Sequence, residues 1–388
     1  MEESYTVVRG LSELRTDRGE ASGRAEQHRW ILLAAVGIAL NVAIIVAMRP
    51  SWNVDFNQFY SAGKLVGTGN LYNWNVMRAL QLERLSEAVP FVRFPFFALA
   101  LHPLALLPYS AARIVWLIAE IAALSAFVCL WPFPRRGWAA AAVCWSAPAA
   151  VCLALGQDTV FLLFVVALGI RLFLGGNRFW AGIVLSLCCD KPHLALLLPV
   201  LFAARAQWRV LLGGLSGSLA IVGLSFAAEG KEWMARLAAL SRIPEFDPAG
   251  PRMPNFRGLV SFLENGLWLE LLLTGVVVLL MFRLSRRLPV PAGCALALAG
   301  GLQIGHHGYV YDAVLLIPAL LLAFEADLPE WMRNWSLILL TPLPHLFLVA
   351  NLLWVGHVVA SGYVLMLFVE LARRGLAPGE RRKAHSAG

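Results

Sequence analysis

Apolar residues in this chain come in long unbroken runs separated by short polar intervals. The first run, WILLAAVGIALNVAIIVAM, covers residues 30–48. A helix needs about 17 to 25 apolar residues to cross the hydrocarbon core of a bilayer. On that length the pattern predicts spans over 30–48, 110–131, 138–155, 158–174, 208–228, 259–282, 289–304, 308–324, 334–350 and 352–372. Membrane strands would alternate with a period of two, which these runs do not. Two stretches differ. Residues 94–107, FPFFALALHPLALL, are short and carry Pro95 and Pro103, which predicts a steep span or a segment lying in the interface. Residues 179–204 are interrupted by Asp190, Lys191, Pro192 and His193, which predicts two short crossings joined by a turn.

Basic residues decide how these pieces are threaded. If 94–107 does not cross completely, five clusters fall on one side: Arg135 with Arg136, Arg171 with Arg178, Arg205 with Arg209, Arg283 with Arg286 and Arg287, and the tail from Arg373 to Lys383. That is the cytoplasmic side by the positive-inside bias. The expectation is about twelve transmembrane helices in one domain, 30–372, flanked by a disordered cytoplasmic tail, 1–29, and a basic cytoplasmic tail, 373–388. Outer loops would cover 49–109 and 229–258, together with the turns GQD, DKPH and GHHGY. The first run is expected to stay as an anchor, because its leader is long and acidic and no small-x-small cleavage site follows. In loop 49–109, aromatics and leucines alternate with Lys64, Arg78 and Arg84, as in amphipathic helices lying in the headgroup layer.

Composition agrees with the pattern: 59% hydrophobic and 14% charged residues, with a mean hydropathy of +0.68, cannot fit one water-soluble core. The fold class is therefore all-α, a polytopic helical membrane protein. The net charge of +8 is spread between apolar runs rather than gathered into a stripe with stacking aromatics, so no nucleic acid is expected. All six cysteines lie in apolar stretches without disulfide or metal-ligand spacing and read as small buried hydrophobes. A charge at mid-span costs about 2.5 to 3.5 kcal/mol on insertion scales, so polar residues at membrane segments tend to mark function. Here they gather on the outer side.

Several blocks together resemble glycosyltransferase family 87, integral membrane enzymes of the GT-C fold. They are VDFNQFYSAGKLVGTGNLY, RFPFFALALHPLALLP, LGQDTVFLLF, AGIVLSLCCDKPHLALLLPVLFAARAQWRVL, MPNFRGL and HHGYVYDAVLLIPALLL, in order over about residues 30 to 330. The chain departs from the family at Arg93 and Phe94, where a tyrosine commonly precedes a proline pair, at Phe96 in place of the second proline, and at Arg257, near Asn255, where a small hydroxyl residue is frequent. The resemblance implies transfer of a mannose- or arabinofuranose-like sugar from a polyprenyl phosphate donor. The acceptor would be a lipid or glycan outside the plasma (inner) membrane. No nucleotide-binding glycine-rich loop is present, which agrees with a lipid-linked donor.

Within that chemistry Asp55, just outside the first run, is the candidate general base, and by resemblance it stands where the family has its catalytic aspartate. Inverting transfer needs a carboxylate to take the acceptor hydroxyl's proton, whereas a phosphate leaving group departs without protonation. Asp55 could equally cap a helix starting near Phe56. Lys191 and His193 are candidates to stabilise the departing phosphate, or Lys191 is an interfacial lysine that Asp190 neutralises. His306 or His307 would contact phosphate or the acceptor hydroxyl; two adjacent histidines without distant ligands make no metal site, so neither metal nor cofactor is expected. Gln157 and Asp158 read as site residues or a capped turn, Asp312 as a buried polar link, and Tyr60, Lys64 and Arg93 as weaker binding candidates. The competing readings are a flippase or transporter of a lipid-linked sugar, which would show matching broken helices in both halves, and a structural scaffold. Only one clear broken helix, CCDKPHL, is visible.

Overall fold

Backbone polar groups in hydrocarbon must be satisfied within the segment, so apolar runs close as helices. Every regular element among the described residues is helical. The structure is a computed structural model and describes residues 28–46, 52–243, 253–344 and 353–376. Residues 1–27 of the expected tail 1–29, the end of the basic tail, and parts of spans 30–48 and 334–350 and of loops 49–109 and 229–258 lie outside these residues.

Four helices are long and apolar enough to cross a membrane: His28–Val46, Tyr109–Leu130, Trp208–Glu229 and Gly266–Ser285. A fifth forms if Arg136–Trp145 and Ala147–Leu155, bent by 61°, act as one span. Their apolar faces point outward: Ile114, Ile118 and Ile121, then Leu212, Leu215 and Leu219, are exposed at helical spacing. A water-soluble bundle would bury those stripes. Val290–Ile304 is the opposite case, with an unbroken run from Gly293 to Gln303 buried. It is the central helix of the larger core.

Several expected runs divide. Residues 259–282 resolve as a short helix, Phe256–Val260, and the helix Gly266–Ser285, separated by the polar residues around Glu264 and Asn265. Residues 308–324 begin as a 3-10 turn, Val310–Leu316, and become α-helical at Ile317–Glu325, with Pro318 in the first turn where its missing N–H costs nothing. Glu330–Leu340 stops at Thr341, before Pro342. The second break, at Ser146 before Pro148, and the third, at Val310, correct the expectation of a single broken helix. The expected break at Lys191 is present, flanked by 3-10 turns Ser186–Asp190 and Pro192–Leu194.

The described part of loop 49–109 packs a second core. Val54–Leu65 buries ten of its twelve residues within the protein, whereas Trp74–Leu82 buries only Met77 and Gln81. Phe59 meets Phe97 edge-on at 5.3 Å and Trp116 at 5.8 Å, which ties Val54–Leu65 to the helices Pro95–Ala105 and Tyr109–Leu130. Pro95–Ala105 has 11 residues; it is about 16 Å long, too short to cross about 30 Å of hydrocarbon. Glu229 accepts a hydrogen bond from the N–H of Gly67 at 2.7 Å, joining the loop to the C-terminal end of Trp208–Glu229.

The helices Arg178–Leu185 and Trp208–Glu229 cross at glycines. A Cβ on Gly182 would lie 2.0 Å from the carbonyl oxygen of Val210, and one on Gly213 2.0 Å from that of Phe179. The close approach is of the small-residue kind used between membrane helices. Gly182→Val is expected to destabilise the fold by about 3 kcal/mol, the upper part of the overpacking range, because backbone rather than a movable side chain is in the way. Thermal unfolding in detergent reads this, and an unchanged midpoint would show that the crossing does not form.

Candidate functional site

Turns and breaks between helices deliver polar residues that a continuous apolar helix would have no reason to carry. The turn after Ala147–Leu155 contributes Gln157 and Asp158, with Gly156 at φ 76°. The break between two 3-10 turns contributes Asp190, Lys191 and His193, and the turn before Val310–Leu316 leads to Tyr311 and Asp312. The three converge although they are far apart in sequence.

Lys191 is the hub. Its Nζ lies 2.9 Å from Asp158 Oδ1 and 3.0 Å from Asp312 Oδ1, and it donates to Gln157 Oε1 at 3.2 Å and to the Thr159 hydroxyl. Thr159 in turn donates to Asp312 Oδ1 at 2.7 Å, and Asp312 Oδ2 accepts the N–H of Tyr309. The Lys191 side chain is 2% exposed, and its three N–H donors are shared among four acceptors. The ring of Tyr311 lies 5.1 Å from Nζ and stacks on Tyr309. Arg93 completes the cluster, with Nε 3.3 Å from Asp158 Oδ2 and 3.6 Å from Asp190 Oδ2. Asp190 therefore pairs with Arg93 rather than neutralising Lys191, and Asp312 is the buried polar link expected of it. Asp158 begins the helix Thr159–Leu174 without a side-chain cap; its carboxylate is spent on ion pairs.

The electrostatics separate the acids. Burial disfavours the charge on Asp158, but the Lys191 ammonium and Arg93 guanidinium overcome it and hold Asp158 below the usual carboxylate range. Burial, with Asp158 adjacent, pushes Asp190 well above it. Lys191 and Arg93 thus stand among three carboxylates, Asp158, Asp190 and Asp312.

Asp55 sits in the first turn of Val54–Leu65, within the field of Lys191, Asp158, Arg93 and Asp312. It is half-buried, and among the described residues no hydrogen bond or ion pair engages its carboxylate. The residue before the helix, Asn53, makes no side-chain cap either, so Asp55 is not itself the N-cap. Desolvation pushes Asp55 up to about 7, against the opposing pull of Lys191. His193, half-buried and in the field of Asp312, Lys191, Arg93 and His307, is held down to about 4 chiefly by burial, so it is a neutral imidazole at physiological pH.

Not every candidate joins this cluster. His306 is exposed and turned toward Arg257 Nη1 at 2.9 Å and Glu270 at 3.5 Å, while His307 packs against its ring at 5.1 Å. Tyr60 is buried in the second core, its hydroxyl donating to the Leu107 carbonyl at 2.7 Å, and exposed Lys64 lies 5.0 Å over its ring. Both are on the side of Val54–Leu65 away from Asp55. Thr159 and Tyr311 belong to the cluster and were not singled out by sequence; a hydroxyl following GQD and the alternating tyrosines of GYVYD were the available signals. No group of three or more His, Cys, Asp or Glu side chains among the described residues is placed to hold a metal ion.

A family model described as glycosyltransferase family 87 matches residues 91–306, more than half of the chain. The match includes Arg93, Gln157, Asp158, Lys191, His193 and His306, and leaves Asp55 and Asp312 outside it. No curated protein matches, and no solved structure does.

Proposed function

The chain belongs to glycosyltransferase family 87, and from that premise we propose that it moves a mannose- or arabinofuranose-like sugar from a polyprenyl phosphate to a lipid or glycan acceptor on the outer face of the plasma membrane. The proposal includes the GT-C arrangement of about twelve spans with both termini in the cytoplasm. Asp55 is the general base. Its carboxylate takes the acceptor hydroxyl's proton as that oxygen bonds to the anomeric carbon; the bond from the anomeric carbon to the phosphate oxygen breaks, its electron pair stays on the phosphate, and the anomeric configuration inverts. Lys191 and Arg93, engaged with carboxylates, act by fixing the platform and its field, and the neutral imidazole of His193 hydrogen-bonds the phosphate or the acceptor.

One observation carries this reading: among the described residues Asp55 is the acid of the cluster without a hydrogen-bond or ion-pair partner, half-buried at the edge of the Lys191–Arg93 platform and pushed up to about 7. A group that must accept a proton works only when ionised, so activity is expected to fall as pH drops through about 7. The test is transfer from a labelled polyprenyl phosphate sugar by the purified protein in proteoliposomes across pH 5 to 9. Transfer with a limb rising to about pH 7 supports the proposal; translocation of the labelled lipid without any new glycosidic bond refutes it.

A further inference from the structure

The helix Tyr109–Leu130 has 22 residues and is about 33 Å long, enough to span roughly 30 Å of hydrocarbon. Near one end Arg113 donates to Asn53, two residues before Asp55, whereas the other end runs into Trp131 and Phe133, both buried. At this far end a cavity of about 410 Å³ opens between residues 133–138 and the helices Ile317–Glu325 and Glu330–Leu340. Small-molecule sites occupy about 300 to 1,000 Å³. The cavity thus lies across the bilayer from the Asp55 cluster.

Three kinds of side chain line it. Phe133, Trp138 and Phe324 give aromatic walls, with Trp138 stacked on Phe324 at 5.5 Å, while Arg135 and Arg333 supply cations and Glu325 the acid. Arg333 is already engaged, its Nη1 2.8 Å from Asp327. Arg135 and Glu325 line the same cavity, yet neither side chain makes an ion pair or a hydrogen bond among the described residues. Partial burial pushes the Glu325 carboxyl up to about 7, with no cation opposing the shift. The frame around them is fixed: Arg374 donates to the Ala326 and Asp327 carbonyls at 3.1 and 2.8 Å, pinning the turn after Glu325 to the helix Leu353–Leu376.

Tryptophans mark the depth. Trp30 packs on Trp138 at 5.3 Å and Trp331 on Trp335 at 6.3 Å, and such rings concentrate at the level of lipid headgroups. Leu337, one turn beyond Arg333 on the same helix face, is exposed where acyl chains would lie.

We propose that this cavity binds the headgroup of a zwitterionic phospholipid of the phosphatidylethanolamine class, with its phosphate at Arg135 and its ammonium at Glu325 beside the rings of Trp138 and Phe324. Charge complementarity selects the occupant. The lining leaves one cation and one acid unpaired, so a headgroup with an anion alone would meet Arg135 and leave Glu325 unanswered. A guanidinium matches phosphate oxygens, and aromatic faces favour an ammonium.

The test is native mass spectrometry of the full chain in detergent, titrated with phosphatidylethanolamine or phosphatidylglycerol of the same acyl chains. Phosphatidylethanolamine should be retained in preference. Glu325→Gln is expected to weaken its retention about tenfold, the loss of one hydrogen bond to a charged group, and to abolish the preference over phosphatidylglycerol. Arg135→Gln should weaken retention of both lipids. Because neither side chain has a partner within the protein, both variants should unfold at the unsubstituted midpoint. Equal retention of phosphatidylglycerol by the unsubstituted protein, a preference that survives Glu325→Gln, or a lowered midpoint in both variants would overturn the assignment. Competition by soluble glycerophosphoethanolamine as strong as by the lipid would overturn it too, since the site would then take the phospho-amine without its chains. The readout needs no sugar transfer, so it stands or falls separately from the transferase reading.

Discussion

Asp55→Asn is expected to lower the rate of sugar transfer by about 10²- to 10⁴-fold, the range that a positioned general base contributes, while leaving the protein folded. The substitution is nearly isosteric and removes the one property that the mechanism needs. Because no ion pair or hydrogen bond to the carboxylate is present among the described residues, nothing is left unpaired by its loss. The partial desolvation that pushes Asp55 up to about 7 is also relieved in the amide, so the unfolding midpoint should hold or rise. Labelling by a polyprenyl phosphate probe should be unchanged, which separates lost chemistry from lost binding. Asp55→Glu keeps a carboxylate displaced by one methylene and should fall between the two. Transfer by Asp55→Asn within tenfold of the unsubstituted protein would remove Asp55 from the role.

Lys191→Met should act in the opposite way, on stability first. The ammonium is the shared partner of Asp158 and Asp312, at 2.9 and 3.0 Å, and all three side chains are at most 3% exposed. Removing one partner of a buried ion pair leaves an uncompensated charge and costs about 3 to 5 kcal/mol. Arg93 remains for Asp158, but among the described residues Asp312 keeps only the Thr159 hydroxyl and the Tyr309 N–H. The double variant Lys191→Met with Asp312→Asn should recover part of the loss, and the coupling in that cycle measures the pair directly. Thermal unfolding midpoints of the single and double variants in detergent supply the data. A Lys191→Met midpoint equal to the unsubstituted protein's would mean that the buried cluster is not formed.

The helical class and the long spans could be read from the chain because both follow from local facts, run length and the obligation of backbone groups in hydrocarbon. The break at Lys191 could be read too, since Asp, Lys, Pro and His interrupt an apolar run at one place. The breaks at Ser146 and Val310 were hidden: neighbouring alanines and leucines keep the hydropathy high, and Pro148 and Pro318 sit where they start a helix rather than end one. Pairing within the site was even less accessible. Asp190 is adjacent to Lys191 in sequence, yet Lys191 pairs with Asp158 and Asp312, because three turns from different parts of the chain meet there and the 3-10 geometry at 186–190 points Asp190 at Arg93. Tyr60 and Lys64 share a helix with Asp55 but not a face, and only the packing of Phe59 and Tyr60 into the second core shows which face looks inward. Arg113 and Glu120, 3.2 Å apart in the helix Tyr109–Leu130, escaped notice because one charge of each sign inside an apolar run reads as an interruption, not as a pair on one helical face two turns apart.

The most direct measurement is the single-turnover rate of sugar transfer as a function of pH, taken side by side for the unsubstituted protein and Asp55→Asn in the same proteoliposomes. The account predicts that the first falls about tenfold per pH unit below a midpoint near 7 and is level above it, while the second is slow and lacks that limb. A limb of the same midpoint surviving in Asp55→Asn, or a flat profile in the unsubstituted protein from pH 5 to 9, would contradict it.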